Sequence, residues 1–310
     1  MNARTDAIAY GRRPASVTVQ SVLYGNRLED IERSAASLAR AADLAIGSGA
    51  CSSVSLRLGD CSPLPCLAPA ELAALRSRHG EALAIDYEFF GTNLGSAAGH
   101  NRLAEGLDVD FVLIRNPDVV VCPRLFESML ATFALPRVGI VEAKQLPIEH
   151  PKDYDPVTGE TVWATTACAL VPMPLFRELG GFDAESFFLY CDDVDFSWRV
   201  RERGLKVIYQ ADAVVFHDKR LSDDAHWQPS AAERYYSAEA ALMLAHKWSR
   251  ADLVERWLRD FGASDSADLR RARESYERRA AAGKLPAPRD AAHRIGVFHG
   301  VHYARHRFAL

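Results

Sequence analysis

The sequence predicts an α/β fold: a mostly parallel sheet flanked by helices, followed by a C-terminal helical extension. Three observations carry this. Through the first half, apolar β-branched runs alternate with segments of helical spacing, the pattern of parallel strands joined by crossover helices. The 310 residues are 48% hydrophobic and 25% charged, so the chain can bury a large core. From residue 230 onward strand-like runs give way to helical ones.

In order, residues 1–15 read as a loose arm. SVTVQSVLY, Ser16 to Tyr24, is β-branched and reads as a buried strand. Asn26 is placed to cap the next helix, with Glu29 three residues on as in a capping box. Leu28, Ile31, Ala35, Leu38 and Ala42 give that helix an apolar stripe. A second strand spans Val54 to Asp60, and the proline-rich SPLPCLAP is loop. A helix over Ala68 to Arg78 and a strand over Leu83 to Phe89 follow. GTNLGSAAGHNRLAEGL forms a turn and helix, and DFVLIRNPDVVV an apolar strand ending in a polar turn.

The second half is less regular. Strands are expected at Val138 to Lys144, in WATTACALVP and in KVIYQADAVVFHD. PLFRELGGFD reads as a short helix closed by Gly180, and DDVDFSWRVRERG as a helix ended by Gly204. Residues 230–260 form a helical tail, and Arg270 to Arg279 a charged, solvated helix.

Bulk properties exclude several classes. A formal net charge of −4 gives no global basis for nucleic-acid binding. No run approaches the roughly 18 apolar residues of a membrane span, and the basic N-terminus lacks the apolar core of a secretory signal. Cys51, Cys61, Cys66, Cys122, Cys168 and Cys191 form no CxxC pair and no zinc-ligand spacing. They read as reduced thiols, and the expected compartment is the cytoplasm.

In α/β sheets ligands bind beyond the carboxyl ends of strands. That rule selects Tyr24, Asp60, Asn93 and Asp118, each at or just past a strand end. Asp192, Asp193 and Asp195 open a helix. Helix capping accounts for acidic residues there, but three in four residues exceed what a cap needs, and crowded carboxyls suit a general base. Asn116-Pro117-Asp118 is a plain turn or, at a strand end, a seat for a divalent cation. His217 is structural unless the fold brings it to Asp118. NLGSAAGHN is neither a GxGxxG nor a Walker A loop.

Taken in this order, the segments from about Ser16 to Asp218 resemble the family 2 glycosyltransferases of GT-A fold. The nearest in feel are the bacterial rhamnosyltransferase-like enzymes of O-antigen and polysaccharide assembly. The resemblance implies a mixed, mostly parallel Rossmann-like sheet, with a catalytic domain over 16–220; the remaining residues, 221–310, read as a helical extension packed on it. It implies that Tyr24, Asn26, Asp60, Asn93, Gly95, Asn101 and Asn116 lie along the nucleotide, with Asp60 on the base. Asp118 and His217 would hold a divalent cation, Mg²⁺ or Mn²⁺. Asp193 would be the general base, with Asp192, Asp195 and Trp163 in the acceptor and base region. Departures from the pattern are Asn116 for an aspartate, Thr166 for a glycine and Asp192 for a glutamate.

The implied activity is metal-dependent inverting transfer of a sugar, rhamnose by analogy, from a dTDP- or UDP-sugar to a glycan hydroxyl, with a lipid-linked acceptor as one form. No nucleic-acid partner is expected. The alternative is a GT-A-fold subunit that binds sugar nucleotide or glycan without turnover. The C-terminal HRIGVFHGVHYARHRFAL mixes basic and apolar residues. It can lie on an anionic membrane or pack on the catalytic domain, and packing is the reading preferred. Dimerisation through the helical tail is left open.

Overall fold

The computed structural model describes residues 13–150, 152–217 and 230–304. Among them the chain runs β1 (Ala15–Leu23), α1 (Leu28–Gly47), β2 (Cys51–Asp60), α2 (Pro69–His79), β3 (Ala84–Phe89), α3 (Gly95–Ala104), β4 (Phe111–Arg115), β5 (Val119–Val121), α4 (Leu125–Thr132), β6 (Val138–Leu146), β7 (Glu160–Thr161), β8 (Cys168–Pro172), α5 (Met173–Glu178), α6 (Asp192–Glu202), β9 (Lys206–His217), α7 (Ala231–Lys247), α8 (Ala251–Ala263) and α9 (Ala267–Ala281).

The strands form one sheet in the order β3-β2-β1-β4-β8-β6-β9-β5, with β7 paired to β9. β1, β2, β3 and β4 are mutually parallel. β8 runs antiparallel to β4 and β6, while β6 and β9 are parallel. β5 runs antiparallel to β9 and pairs Val119 with His217. The chain winds outward through β1, β2 and β3, then crosses back by α3 to β4 on the other side of β1. That reversal is a switch point, where open α/β sheets bind ligands.

These directions bring the carboxyl ends of β1, β2, β4, β6 and β9 and the amino ends of β5 and β8 to one sheet edge. α6 packs on β9 and enters it through a short turn at Gly204. It therefore runs back along the sheet, and its first turn, carrying Asp192 and Asp193, lies at the same edge.

Strand periodicity builds two cores. Phe111 and Leu113 of β4 join the core under α1 and α4, whereas Val112 and Ile114 join the one under α3, α5 and α6. Alternate side chains point to opposite faces, and both faces of β4 are covered, which explains its unbroken apolar run. A third core joins α6 to α7 and α8 through Trp198, Leu242, Leu244, Trp248 and Trp257. In the described part of the basic-apolar stretch, residues 293–304, Ile295, Phe298 and Tyr303 pack into this core. Its last six residues lie outside the described set, as do residues 1–12 of the expected arm.

Four local expectations are corrected. α1 is capped at Arg27 without a side-chain cap bond, so Asn26 is not its cap and Glu29 forms no capping box. Asn26 Oδ1 instead accepts from the Tyr24 amide at 2.9 Å, a local turn that competes with capping. VVV after the NPD turn is a separate strand, β5, rather than the tail of β4. β8 begins only at Cys168, because residues 163–167 are held by side-chain bonds instead of a ladder. α4 has no counterpart in the sequence reading: its eight residues give barely two turns of periodicity.

Candidate active site

Asn116, Asp118 and His217 meet at the sheet edge. His217 Nε2 lies 3.5 Å from Asp118 Oδ1 and 3.2 Å from Asn116 Nδ2. The ring's other nitrogen, Nδ1, is 2.9 Å from Gln145 Oε1. Gln145 is 1% exposed, so this bond is shielded from water. The contact turns the ring so that Nε2 faces Asp118 and Asn116, as an outer partner orients a ligand histidine. Burial raises the Asp118 carboxyl, but His217, a local backbone amide and Arg115 outweigh it and hold it below the ordinary value. Arg115 is buried at the end of β4 and donates to Ser34 Oγ and to Val119 O, pinning the Asn116–Asp118 turn to α1. Among the described residues no group of three or more His, Cys, Asp and Glu is placed to hold a metal ion.

The first turn of α6 sits on strained backbone. Tyr190 and Cys191 have φ of 69° and 57°, the left-handed region that costs an ordinary residue of order 1–3 kcal/mol and concentrates at functional sites. Asp192 is buried, and its Oδ2 has no hydrogen-bond partner. Burial first, then the charge of Asp193, pushes its carboxyl well above the usual range, against a bond from Ser96. Asp193 is the less buried of the two. Its Oδ1 accepts from the Val194 amide at 2.8 Å.

Residues 163–167 lie between these two groups. The Asn116 amide donates to Ala167 O at 3.1 Å. The Ala164 amide donates to Ser197 Oγ at 3.0 Å, and that hydroxyl donates to Asp193 O at 2.7 Å. One short segment therefore touches both the Asn116–Asp118 turn and the start of α6.

On the nucleotide side the structure separates open residues from occupied ones. Tyr24 is 59% exposed beyond β1. Asp60 is fully buried, and its carboxylate accepts from the Ser62 amide at 2.9 Å, the Cys66 amide at 2.6 Å and the Tyr87 hydroxyl at 2.5 Å. Those bonds hold the 61–66 loop, and Ser62 Oγ in turn accepts from the Gly25 amide. Burial raises the Asp60 carboxyl, and the bonds from this loop and Tyr87 outweigh it, leaving a net lowering. Both Asp60 oxygens are thus already bonded within the chain, and the residue fixes the 61–66 loop at the end of β2.

Asn93 Oδ1 accepts from the Gly95 amide at 3.1 Å and opens α3. Gly95 has φ of 73°, and a Cβ there would stand 2.2 Å from Phe188 O, so only glycine fits. Asn101, expected on the nucleotide, is occupied elsewhere: its amide group pairs with both the N–H and the C=O of Phe182 at 2.8 Å.

Two further expectations change. Asp195 is not in an open acceptor region. It is 0% exposed and receives Arg199 Nε at 2.8 Å, Lys247 Nζ at 2.8 Å and Trp248 Nε1 at 3.1 Å, which ties α6 to α7. Trp163 is 1% exposed, packed edge-on against Tyr303 with centroids 5.3 Å apart. It can wall a pocket but not stack openly on an acceptor. Gln145, Arg115 and Ser197 were missed by sequence reasoning. The charged Arg115 closing an apolar strand was the only local signal.

Solved structures share this architecture. GalNAc-T7, solved with UDP, GalNAc and Mn²⁺, superposes with a TM-score of 0.62 at 11% identity, covering 89% of this chain and 60% of that one. The mannosyltransferase PcManGT of Pyrobaculum calidifontis, solved with GDP-Man and Mn²⁺, gives 0.54 at 18%, covering 89% and 82%. The fold is thereby defined as GT-A.

The sequence comparisons narrow it. No family model matches the chain. An N-acetylglucosaminyl-diphospho-decaprenol L-rhamnosyltransferase of Mycobacterium tuberculosis is 26% identical over 215 residues, covering 54% of this chain and 69% of the relative. A pre-mycofactocin glycosyltransferase of the same organism is 29% identical over 182 residues, covering 52% of this chain and 37% of the relative. The chain thus has the GT-A fold and, over about half its length, is similar in sequence to a rhamnosyltransferase and a glycosyltransferase.

Proposed function

We propose that the protein transfers a deoxyhexose, rhamnose by kinship, from its dTDP or UDP donor to a glycan hydroxyl with inversion, and that a divalent cation assists. The observation that carries this is the meeting of Asn116, Asp118 and His217 at the edge where α6 presents Asp193. An acidic oxygen, an imidazole nitrogen and an amide make a donor set that suits Mg²⁺ or Mn²⁺. Asp118 and His217 would hold the ion, with Asn116 beside them, and donor phosphate oxygens and water would complete the shell. Its chemistry when bound would be to offset charge on the departing diphosphate. The Mn²⁺ in both solved neighbours supports this assignment.

The chain's own residues account for the rest. Tyr24 offers an aromatic face at the end of β1, and the 61–66 loop set by Asp60 forms the adjoining wall. Asp193 takes the proton from the acceptor hydroxyl as that oxygen bonds to the anomeric carbon. The bond from that carbon to the diphosphate oxygen breaks on the opposite face, and its electron pair leaves with the nucleotide. One displacement inverts the centre. Asp192, its carboxyl raised by burial and by Asp193, adds less like charge beside the base than an ordinary aspartate would.

The acceptor follows from kinship too. The rhamnosyltransferase relative is named for a sugar on a diphospho-decaprenol, and a lipid-linked glycan is the acceptor class proposed here. No described helix is long and apolar enough to cross a membrane. Incubating the protein with dTDP-L-rhamnose, Mn²⁺ and a polyprenyl-diphosphate-linked N-acetylglucosamine tests the whole proposal. Release of dTDP with a disaccharide product is expected. A near-zero release, the same in the wild type and in Asp193→Asn, would favour a binding subunit instead.

A further inference from the structure

A buried ion pair outside the cation and base groups governs the segment that joins them. Lys152 and Glu142 have side chains 3% and 1% exposed, with Nζ and Oε2 2.5 Å apart. Lys152 Nζ also donates to Trp163 O at 3.3 Å and stands 3.9 Å from the Trp163 ring centroid. The pair therefore holds residue 163 through its carbonyl and its ring. Beside it, Ala164 is bonded to Ser197, and Ala167 to Asn116.

Burying two charges is expensive, and apolar residues of similar volume are often as stable or more so. A Lys–Glu pair retained here is therefore not explained by stability alone. Its geometric product is the placement of a segment with the base on one side and the cation turn on the other. Displacements of about 1 Å at reacting groups can cost of order 100-fold in rate.

We propose that the Lys152–Glu142 pair is a positioning element for glycosyl transfer: it sets residues 163–167 so that the Asp118 turn and Asp193 face the donor at the correct separation. This rests on the reading of Asp118 and Asp193 given above. Neither member of the pair touches substrate.

The test uses the full chain. Single variants leave one buried charge unpaired and can fail to fold, so the decisive one is the double variant Glu142→Gln with Lys152→Met. It keeps volume and removes both charges. Thermal unfolding near wild type is expected, with dTDP affinity in Mn²⁺ within about threefold. Turnover of dTDP-L-rhamnose should fall at least tenfold in kcat with KM little changed. Amide hydrogen exchange should speed up at residues 163–167 and nowhere else in the sheet. Lys152→Arg should restore part of kcat. Wild-type kcat and unchanged exchange in the double variant would overturn the proposal. Asp193→Asn, run alongside, should cut turnover roughly 10²–10⁴-fold with normal exchange. If it keeps turnover, the site assignment is wrong, while the exchange data still decide whether the pair holds the segment.

Discussion

Gln145 Oε1 lies 2.9 Å from His217 Nδ1, and so decides which nitrogen His217 turns toward Asp118. Replacing Gln145 with Leu frees the ring to change tautomer or rotate. We expect Mn²⁺-dependent binding of dTDP or UDP to weaken roughly 10–100-fold, as for other outer-shell partners of ligand histidines, with metal-free binding unchanged. Calorimetry with and without Mn²⁺ reads this, and an equal effect in both conditions would place the cation elsewhere. Asp118→Ala should remove the Mn²⁺ gain altogether.

Asp193→Asn keeps the shape of the α6 start but cannot take a proton. Donor binding is expected to persist while transfer falls roughly 10²–10⁴-fold, the usual worth of a positioned base. Single-turnover measurement with dTDP-L-rhamnose separates the two. Full transfer by the variant would remove Asp193 from the mechanism.

Asp195, by contrast, should matter for folding. Its fully buried carboxylate pairs with Arg199 and Lys247, so Asp195→Ala leaves Arg199 without its carboxylate and Lys247 with Asp183 alone. Breaking a buried pair costs about 3–5 kcal/mol, and denaturant unfolding should show a loss of this order. A variant with normal stability but no activity would restore Asp195 to the catalytic group.

For Asp60→Ala the expected effect is on the loop it holds. Ser62, Cys66 and Tyr87 lose their acceptor together. Faster exchange at residues 61–66 and lower stability should accompany any loss of nucleotide affinity. Weaker binding with the loop unchanged would mean that Asp60 meets the base directly.

Glu142 gives a pH signature. Burial, against the pull of Lys152, raises its carboxyl from an ordinary 4.5 to about 7. Between those values the folded state holds a proton that the unfolded chain has released. Stability from this group is therefore present at low pH and lost as pH rises from about 4.5 to 7. Glu142→Gln should make the fall in melting temperature over that range shallower, whatever its absolute stability. An unchanged slope would mean that Glu142 stays charged throughout.

The amino-acid order by itself determined the alternation of strands and helices, the strand ends where chemistry collects and the cluster that opens α6. These are local properties: period-2 and period-3.6 patterning and turn chemistry act within a few residues. It could not tell which polar residues were already taken. Asn101 bonds to Phe182, 81 residues away, and Asp195 to Trp248, 53 residues away. Nor could it show that Gln145 orients His217 or that Lys152 meets Glu142. Such pairings depend on which faces pack together, and packing is fixed only when the sheet closes and buried polar groups must all find partners.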